Sequence, residues 1–359
     1  MRIVHVVEAF WWGVFDFLVD LTRWLDEMEH IIVYSLRKET PKDFQKYFSF
    51  NVKFIQRPNA QREVSLLQDF KAFLSLLKIF KMQKADVYHL HSSKAWFLGR
   101  LALKLLGRSS KAIYSVHWVG FADPNFSVSQ KKLYKFLEKV AFRFWGKVVG
   151  NSVYEAQVFK SIWVPAEWIP NRFDCESTKY FKQQSLSPKS KIIIANMWRL
   201  TEVKDPNLFS QIAKHFIFNQ NIEFWWIGWP YSNKFKFPSN VKVTGWLLHQ
   251  EALQKLSQVD IFLFTSLSEA VPMAVLEAMC LAKPVVARKI PWVEEVIEHE
   301  KNGFLFEDVA KAKEYLQSLI DKSDLRKKMW VQAYKTIKKK FSFEEWLDQY
   351  RSLYQKIAN

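Results

Sequence analysis

Short apolar runs alternate with longer helix-forming segments along most of the chain, and this alternation constrains the fold more than any other feature. Strands that alternate with helices predict a parallel sheet with helices on both faces. The predicted strands span residues 2–7, 31–36, 52–55, 87–91, 112–117, 147–150, 192–196, 222–227, 241–244, 261–264, 285–287 and 304–306. The predicted helices span residues 10–25, 66–82, 95–106, 130–144, 207–216, 251–256, 273–281 and 343–357.

The pattern is interrupted at residues 168–171 and at the polar stretch 176–190. A chain of 359 residues is long for a single core, so we predict two domains, residues 1–172 and 173–342. Two α/β halves with a short linker predict a cleft between them, which is a common place for a ligand. The predicted fold class is therefore α/β, with two doubly wound parallel-sheet domains facing a cleft.

The net charge of +17 is concentrated in one region of the chain. Residues 51–150 contain 18 Lys and Arg against 5 Asp and Glu. An excess of this size predicts an anionic partner: a membrane surface, a nucleic acid or a phosphorylated acceptor. Within the predicted helix 130–144, one face is basic and the opposite side is apolar, with Lys132, Lys135, Lys139 and Arg143 on the first and Leu133, Phe136, Leu137 and Val140 on the second.

The two cysteines, Cys175 and Cys280, are far apart in the sequence and lack the spacing of metal ligands. This argues against a disulfide scaffold or a zinc site, and it fits a reducing cytosol. The N-terminus enters a strand without the layout of a signal peptide, and no run of about eighteen uncharged apolar residues predicts a transmembrane helix. We therefore expect a cytoplasmic protein.

One strand–turn–helix segment, residues 261–281, carries two carboxylates in suggestive positions. Glu269 lies in the turn after the strand, and Glu277 lies on the helix. A carboxylate at the carboxyl end of a strand points into the crevice where open α/β sheets bind ligands, and the start of the helix offers an anion site beside it. This combination suits a phosphorylated sugar, although spacing alone favours an ordinary turn glutamate and a solvated helix glutamate.

Two cations, Arg199 and Lys204, follow the predicted strand 192–196. Arg grips phosphate oxygens bidentately, and Lys adds a point charge. Such a pair can stabilise a departing nucleoside diphosphate, because negative charge grows on its phosphate as a glycosidic bond breaks. Taken alone, this spacing favours two solvated side chains.

The segment 266–286 reads S-x-x-E-x-x-P-x-x-x-L-E-A-M-x-x-x-K-P-V-V and resembles the donor-site signature of retaining nucleotide-sugar glycosyltransferases of family 4. These enzymes have the GT-B fold, built from two Rossmann-like domains. Residues 199–204 are similar to the R-L-x-x-x-K segment of that family. Further matches, which extend the resemblance over about residues 1–310, are I-P-N at 169–171, T-G-W at 244–246, D-V-Y-H-L-H at 86–91, S-V-H at 115–117 and N-G-F-L at 302–305.

The resemblance implies roles for the charged residues. Arg199 and Lys204 would neutralise the donor diphosphate. Glu269 would bind hydroxyls of the transferred sugar, and Glu277 would bind those of the ribose. The family retains anomeric configuration by front-face attack, so neither glutamate need be a nucleophile. No D-x-D motif is present, and we expect no metal and no cofactor other than a UDP- or GDP-linked donor sugar as substrate.

The resemblance also implies roles for uncharged positions. Gly13 would let the first loop approach the donor phosphates. The turn containing Gly245 and Trp246 would lie along the base. His117 would lie beside the anomeric centre and bond a sugar hydroxyl or a backbone group. The last helix would pack back on the first domain.

Several glycines of the family are replaced in this chain, which leaves the donor sugar and base open. The replacements noted are Trp198 before Arg199, Ala270 after Glu269, Ala282 before Lys283, and Arg172 in the connector.

Three functions remain in competition. The first is a glycosyltransferase, peripheral at the inner face of the membrane, that acts on a lipid-linked or saccharide acceptor in polysaccharide, glycolipid or lipopolysaccharide assembly. The second is a catalytically degenerate GT-B subunit that acts as a binding partner. The third is a basic nucleic-acid-binding protein, but no recognisable motif supports it, and we expect no nucleic acid partner.

Overall fold

The structure is a computed structural model. It describes residues 1–8, 10, 12–36, 40–57, 66–91, 93–117, 119–122, 126–144, 146–172, 174–178, 181, 191–229, 234–269 and 271–359. Every predicted site residue falls within these ranges. Ala270 and most of the polar stretch 176–190 lie outside the described residues.

The chain divides into two compact units. The first consists of Met1–Pro170 together with Glu344–Asn359, and the second consists of Asn171–Phe343. The boundary therefore lies two residues before the predicted one, and the last helix belongs with the first unit.

The described part of the first unit contains a sheet of seven parallel strands in the order β3-β2-β1-β4-β5-β6-β7. The strands are β1 (Arg2–Val7), β2 (Glu29–Tyr34), β3 (Lys53–Gln56), β4 (Val87–Leu90), β5 (Ala112–Val116), β6 (Lys147–Gly150) and β7 (Ala166–Trp168). The helices are α1 (Trp12–Trp24), α2 (Leu66–Met82), α3 (Ser93–Leu105), α4 (Val128–Phe142), α5 (Val153–Ser161) and, from the end of the chain, α12 (Phe343–Ala358).

The central strands of this sheet are buried on both faces, as parallel strands covered by helices are. Every residue of β4 and β5 is buried. The helix α12 buries Trp346, Tyr350 and Tyr354, and the hydroxyl of Tyr354 lies 2.7 Å from Nδ1 of His89 on β4. The first unit therefore has a polar layer inside its core, between the sheet and α12.

The described part of the second unit contains six parallel strands in the order β10-β9-β8-β11-β12-β13. The strands are β8 (Ile192–Met197), β9 (Ile222–Ile227), β10 (Val241–Val243), β11 (Ile261–Phe264), β12 (Val285–Arg288) and β13 (Phe304–Phe306). The helices are α6 (Pro206–His215), α7 (His249–Ser257), α8 (Met273–Cys280), α9 (Pro291–Val296), α10 (Val309–Asp321) and α11 (Ser323–Lys340).

The strand order reverses once in each sheet, between β1 and β4 in the first and between β8 and β11 in the second. Open α/β sheets bind ligands outside the carboxyl ends of the strands at such a switch point. The prediction of two doubly wound parallel-sheet domains is confirmed.

The expectation that the cysteines do not pair is wrong. Cys175 and Cys280 form a disulfide, with their Cα atoms 5.1 Å apart although 105 positions separate them. Cys175 lies in a single helical turn, and Cys280 is the last residue of α8. The fold brings them together, so their spacing gives no support for a reducing compartment.

The packing of α4 differs from the amphipathic prediction. Leu133 and Phe136 are 54% and 62% exposed, whereas Glu138 and Ala141 are buried. Burial raises the pKa of Glu138 to about 7, against the opposing effects of a hydrogen bond from Trp96 and the charge of Arg100. One side of α4 thus presents cations and apolar side chains together. Among the described residues, no helix has the length and apolar character needed to cross a bilayer.

Candidate active site

The loop after β8 is fixed by close packing against the end of β9. Trp226 donates from Nε1 to the carbonyl of Trp198 at 2.8 Å. Gly228 has φ +147°, and a Cβ at this position would collide with the same carbonyl. Only glycine allows so close an approach of two backbones. The loop that carries Arg199 and Lys204 therefore starts from a rigid position.

Lys204 lies buried in this loop and forms an ion pair with Glu269. Its ammonium nitrogen also lies 4.3 Å from the ring centroid of Trp198. Burial lowers the pKa of Lys204, the carboxylate of Glu269 opposes that shift, and the charge of Arg199 adds to it. The structure thus brings together both predicted cations and one predicted carboxylate.

Backbone and hydroxyl hydrogen bonds join the loops after β8 and β11. Asn196 donates from Nδ2 to Oγ1 of Thr265 at 3.0 Å, and that hydroxyl donates to the carbonyl of Lys204 at 2.8 Å. The backbone N–H of Leu267 donates to the carbonyl of Val203 at 2.8 Å. Because β8 and β11 flank the switch point, these bonds hold the charged cluster where the topology favours a ligand.

Glu277 lies on α8, which begins four residues after Glu269. Its side chain is buried, and Oε1 lies 2.9 Å from Nε2 of His249, which donates to it. The other carboxylate oxygen, Oε2, is buried without a hydrogen-bond partner among the described residues. A buried acceptor left unsatisfied costs about 1–3 kcal/mol, so a hydroxyl donor at this oxygen would be stabilising.

The turn after β10 carries an exposed aromatic surface. Gly245 has φ +80°, a conformation that glycine adopts without strain. Trp246 is 60% exposed, and Trp229 is 51% exposed. A Cβ on Gly245 would lie 4.0 Å from Cε3 of Trp229, so the two exposed indoles flank one glycine turn. Flat, accessible aromatic faces of this kind can stack on a planar ligand.

The other two predicted site residues belong to the first unit. Gly13 is exposed near the start of α1, and a Cβ there would meet no atom within 4 Å. His117 follows β5 and is partly exposed. Burial lowers the pKa of its imidazole to about 4, so the ring is neutral at pH 7. Its Nε2 lies 3.2 Å from Nδ1 of His91, and its Nδ1 lies 3.3 Å from Nδ2 of Asn151.

Sequence reasoning missed several residues that complete these arrangements. In the sequence Trp198 stands only as a replacement for glycine, yet its ring contacts Lys204. His249 and Asn151 carried no motif of their own. His5 and His89 lie within apolar strands, and the structure places both in a buried polar layer, where His5 bonds other imidazoles and His89 bonds hydroxyls.

Two family models match consecutive parts of the chain. Glycosyltransferase Family 4 matches residues 13–177, and Glycosyl transferases group 1 matches residues 177–336. Together the two models span residues 13–336, and the chain belongs to the glycosyltransferases that they describe. The two matches meet close to the boundary between the two compact units of this glycosyltransferase.

Relatives from two bacteria match most of the glycosyltransferase. The UDP-Gal:α-D-GlcNAc-diphosphoundecaprenol α-1,3-galactosyltransferase of Escherichia coli is 28% identical over 73% of this chain and 72% of its own length. A protein of the cps region of Klebsiella pneumoniae is 26% identical over 89% of this chain and 90% of its own length.

Solved structures establish the fold as GT-B. HepE of Anabaena, in complex with UDP and glucose, superposes with a TM-score of 0.79 at 17% identity, over 99% of this chain and 100% of that chain. The lipopolysaccharide outer core galactosyltransferase WaaB gives a TM-score of 0.72 at 17% identity, again over 99% and 100% of the two chains. At these identities the likeness concerns the fold alone.

Proposed function

We propose that this glycosyltransferase transfers a sugar from a nucleoside diphosphate donor, with retention of configuration, to a lipid-linked saccharide at the cytoplasmic face of a membrane. The observation that carries the proposal is the cluster of Arg199, Lys204 and Glu269 at the switch point of the second sheet. A buried cluster of this kind suits a ligand that combines an anionic diphosphate with sugar hydroxyls.

The diphosphate is the part of the donor that the two cations would bind. Before the donor binds, Glu269 neutralises Lys204. A diphosphate would offer Lys204 and Arg199 a second anionic partner in a buried setting, where charges interact more strongly than in water. The positioned cations would then stabilise the negative charge that grows on the leaving phosphate, without a bound metal ion.

The hydroxyl groups of the donor are the part that the carboxylates would bind. When Lys204 turns to the diphosphate, the oxygens of Glu269 become available to hydroxyls of the transferred sugar. The unpartnered Oε2 of Glu277 would accept a hydrogen bond from the ribose. The exposed indole of Trp246 would stack on the base.

The transfer step needs no carboxylate nucleophile. The acceptor hydroxyl attacks the anomeric carbon on the face that the diphosphate leaves, and the bond between that carbon and the β-phosphate oxygen breaks with its electron pair going to the phosphate. The proton of the acceptor hydroxyl passes to a phosphate oxygen. Attack from that face retains the anomeric configuration.

The names of the relatives support a lipid-linked acceptor. The Escherichia coli relative acts on a diphosphoundecaprenol-linked sugar, and the Klebsiella pneumoniae relative is encoded in a cps region. We propose an acceptor of the same chemical class, used in the assembly of a surface polysaccharide.

The exposed faces of α2 and α4 support docking on an anionic membrane. Both helices pack against α3. Their exposed apolar side chains are Leu67, Phe70, Leu74, Met82, Val128, Leu133 and Phe136, and their exposed cations include Lys71, Lys78, Lys81, Lys132, Lys135 and Lys139. A helix with apolar and basic residues on its exposed side suits a membrane surface, where each cation adds about 1 kcal/mol.

A panel of donors tests the proposal directly. Thermal shifts are measured with UDP-galactose, UDP-glucose, UDP-N-acetylglucosamine, GDP-mannose, UDP and GDP. Transfer from each labelled donor is then followed to a GlcNAc-diphospholipid in anionic and in zwitterionic vesicles. We expect one base to stabilise the protein, one sugar to be transferred, and anionic vesicles to give the faster reaction.

In the variants Arg199→Ala and Glu269→Gln, the rate of sugar transfer should fall about a hundredfold or more. A fall of this size is usual when one preorganised charge-stabilising group is removed. Glu307→Gln is the matched control, because Glu307 pairs with Lys289 at 2.8 Å on the exposed surface. Full transfer by both site variants would contradict the proposed chemistry. If no nucleotide changes the melting temperature, the protein is instead a degenerate subunit, or a nucleic-acid-binding protein if oligonucleotides bind tightly.

A further inference from the structure

Four histidines of the first unit form a continuous hydrogen-bonded row, which we call the histidine file. It runs from His30 on β2 through His5 on β1 and His91 after β4 to His117 after β5. The successive distances between ring nitrogens are 3.0, 3.2 and 3.2 Å. The file crosses the switch point between β1 and β4, and His30, His5 and His91 are fully buried.

The inner end of the file fixes the position of every ring proton. Nε2 of His30 lies 2.9 Å from the carbonyl of Leu25, which only accepts hydrogen bonds, so this nitrogen carries the proton. Burial lowers the pKa of each ring in the file, so each is neutral at pH 7 and has a single N–H. Nδ1 of His30 must therefore accept from Nε2–H of His5, and the same reasoning repeats through His91 to His117.

The outer end of the file gives the same assignment independently. Nδ2 of Asn151 lies 2.5 Å from the carbonyl of Val116 and 3.3 Å from Nδ1 of His117. Because a carbonyl cannot donate, the side-chain atom beside it must be the amide nitrogen, which then donates to His117 as well. Both ends therefore require that every ring in the file donates from Nε2 and accepts at Nδ1.

The layer also contains a group of nitrogens with the spacing of metal ligands. One ring nitrogen from each of His5, His89 and His91 lies within 4.8 Å of the others. However, both nitrogens of His89 already bond hydroxyls at 2.7 Å, those of Tyr354 and Ser115. The hydrogen-bond network is complete without an ion, so the file explains the arrangement better than a metal does.

We propose that the histidine file holds His117 as a hydrogen-bond acceptor toward its ligand, with His91, His5 and His30 as positioning residues. The Nε2–H of His117 is donated to His91, so the ring can bond a ligand only through the lone pair of Nδ1. A ligand hydroxyl would replace the N–H of Asn151 at this lone pair, and that bond is the longest in the row at 3.3 Å. Oδ1 of Asn151 is a second acceptor without a hydrogen-bond partner among the described residues. Two neighbouring acceptors select a hydroxyl group and reject a carboxylate or a phosphate. That the hydroxyl belongs to the donor sugar rests on the proposed function.

Long-range ¹H–¹⁵N correlation spectra of histidine-labelled protein at pH 7.5 test the file without any substrate. We expect protonated Nε2 and unprotonated Nδ1 for His30, His5, His91 and His117. A protonated Nδ1 in any of these rings would overturn the proposal. Shifts of the His5, His89 and His91 signals on adding one equivalent of Zn²⁺ would also overturn it, in favour of a metal site.

A pair of variants tests the effect on ligand binding. His5→Phe interrupts the file while keeping a ring in the core, and His89→Phe is the matched control in the same layer but outside the file. We expect His5→Phe to mix the tautomers of His117 and to raise KM for UDP-galactose about threefold to tenfold, the effect of one hydrogen bond. The Kd of UDP, which has no transferred sugar, should not change. His89→Phe should leave the tautomers and KM unchanged.

The outcomes separate this proposal from the proposed function. If wild-type protein does not bind UDP-galactose, that donor is wrong, but the spectra still decide whether the file exists. Equal changes in KM for UDP-galactose and Kd for UDP in His5→Phe would show only general damage and would contradict a positioning role. If either variant does not fold, the wild-type spectra remain sufficient to overturn the assignment of protons.

Discussion

The polar groups at the switch point of the first sheet are imidazoles that burial keeps neutral and that hydrogen bonds join in a row. At the switch point of the second sheet the polar groups are a guanidinium, an ammonium and a carboxylate. His91 and His117 in the first set, and all three groups of the second set, follow the carboxyl ends of strands in doubly wound sheets of similar topology. Topology therefore determines where the chemistry lies, and the residue types determine which chemistry it is.

The two regions suit different chemical groups. A charged cluster compensates the charge of a diphosphate, which water would otherwise solvate. A row of neutral rings offers an oriented lone pair without adding charge, which suits an uncharged hydroxyl. Disturbing each region should therefore have different consequences.

The largest expected effect is the loss of a charge from the second unit. In Lys204→Met the side-chain length is kept, but Glu269 and the diphosphate both lose their ammonium partner. We expect kcat/KM to fall by about a hundredfold to a thousandfold, the usual effect of removing one preorganised charge-stabilising group. By comparison, His5→Phe should lower kcat/KM by no more than about tenfold.

Lys289→Met is the matched control for this change, because Lys289 pairs with Glu307 on the surface and should be dispensable for transfer. Melting temperatures of both variants show whether the fold is intact. Similar losses of activity in Lys204→Met and His5→Phe, with both proteins folded, would remove the distinction between a charged and a neutral region.

The sequence predicts those features of the two regions that depend on the order of residues along the chain. Arg199, Lys204 and Glu269 each follow an apolar run, so their place at the ends of strands can be read directly. The histidine file depends on register between strands, which pairs His30 with Ile3 on one side of β1 and bonds the backbone N–H of His91 to the carbonyl of Val6 on the other. No local pattern carries that information, and so His5 appears only as one more residue inside an apolar strand.

Burial inside helices is also difficult to predict from periodicity alone. In α4 the buried positions include Glu138, whose burial beside Trp96 and Arg100 runs against its polarity. The disulfide between Cys175 and Cys280 likewise joins segments 105 residues apart, and only the tertiary fold brings them together.

The next effect is a difference in acid stability between the two units. The folded pKa values of His5, His89, His91 and His117 are lowered, so the folded state binds fewer protons than the unfolded chain below pH 6.5. The contribution of these histidines to the free energy of unfolding is therefore complete above about pH 6.5 and is lost as pH falls. For His117 alone, the lowering of the pKa from 6.5 to about 4 corresponds to about 3 kcal/mol of this free energy.

Hydrogen exchange measured by mass spectrometry at pH 7.5 and pH 5 can follow the two units separately. After correction for the intrinsic exchange rate, peptides of the first unit should lose protection at pH 5 before peptides of the second. His215→Asn changes an exposed histidine and should leave this order unchanged. Parallel loss of protection in both units would contradict a special acid sensitivity of the buried histidine layer.

The smallest expected effect concerns the second carboxylate of the charged region. Glu277→Gln keeps an acceptor for His249 but replaces a charged hydrogen bond to the ribose by a neutral one, a difference of about 1 kcal/mol. We expect the Kd of UDP, measured by calorimetry, to rise about fivefold. Removal of the ribose hydroxyls from the ligand should abolish the difference between wild type and variant, because no donor then reaches Oε2. If Glu277→Gln weakens the binding of 2′,3′-dideoxy-UDP by the same factor, Glu277 supports the fold of α8 and does not bind the ribose.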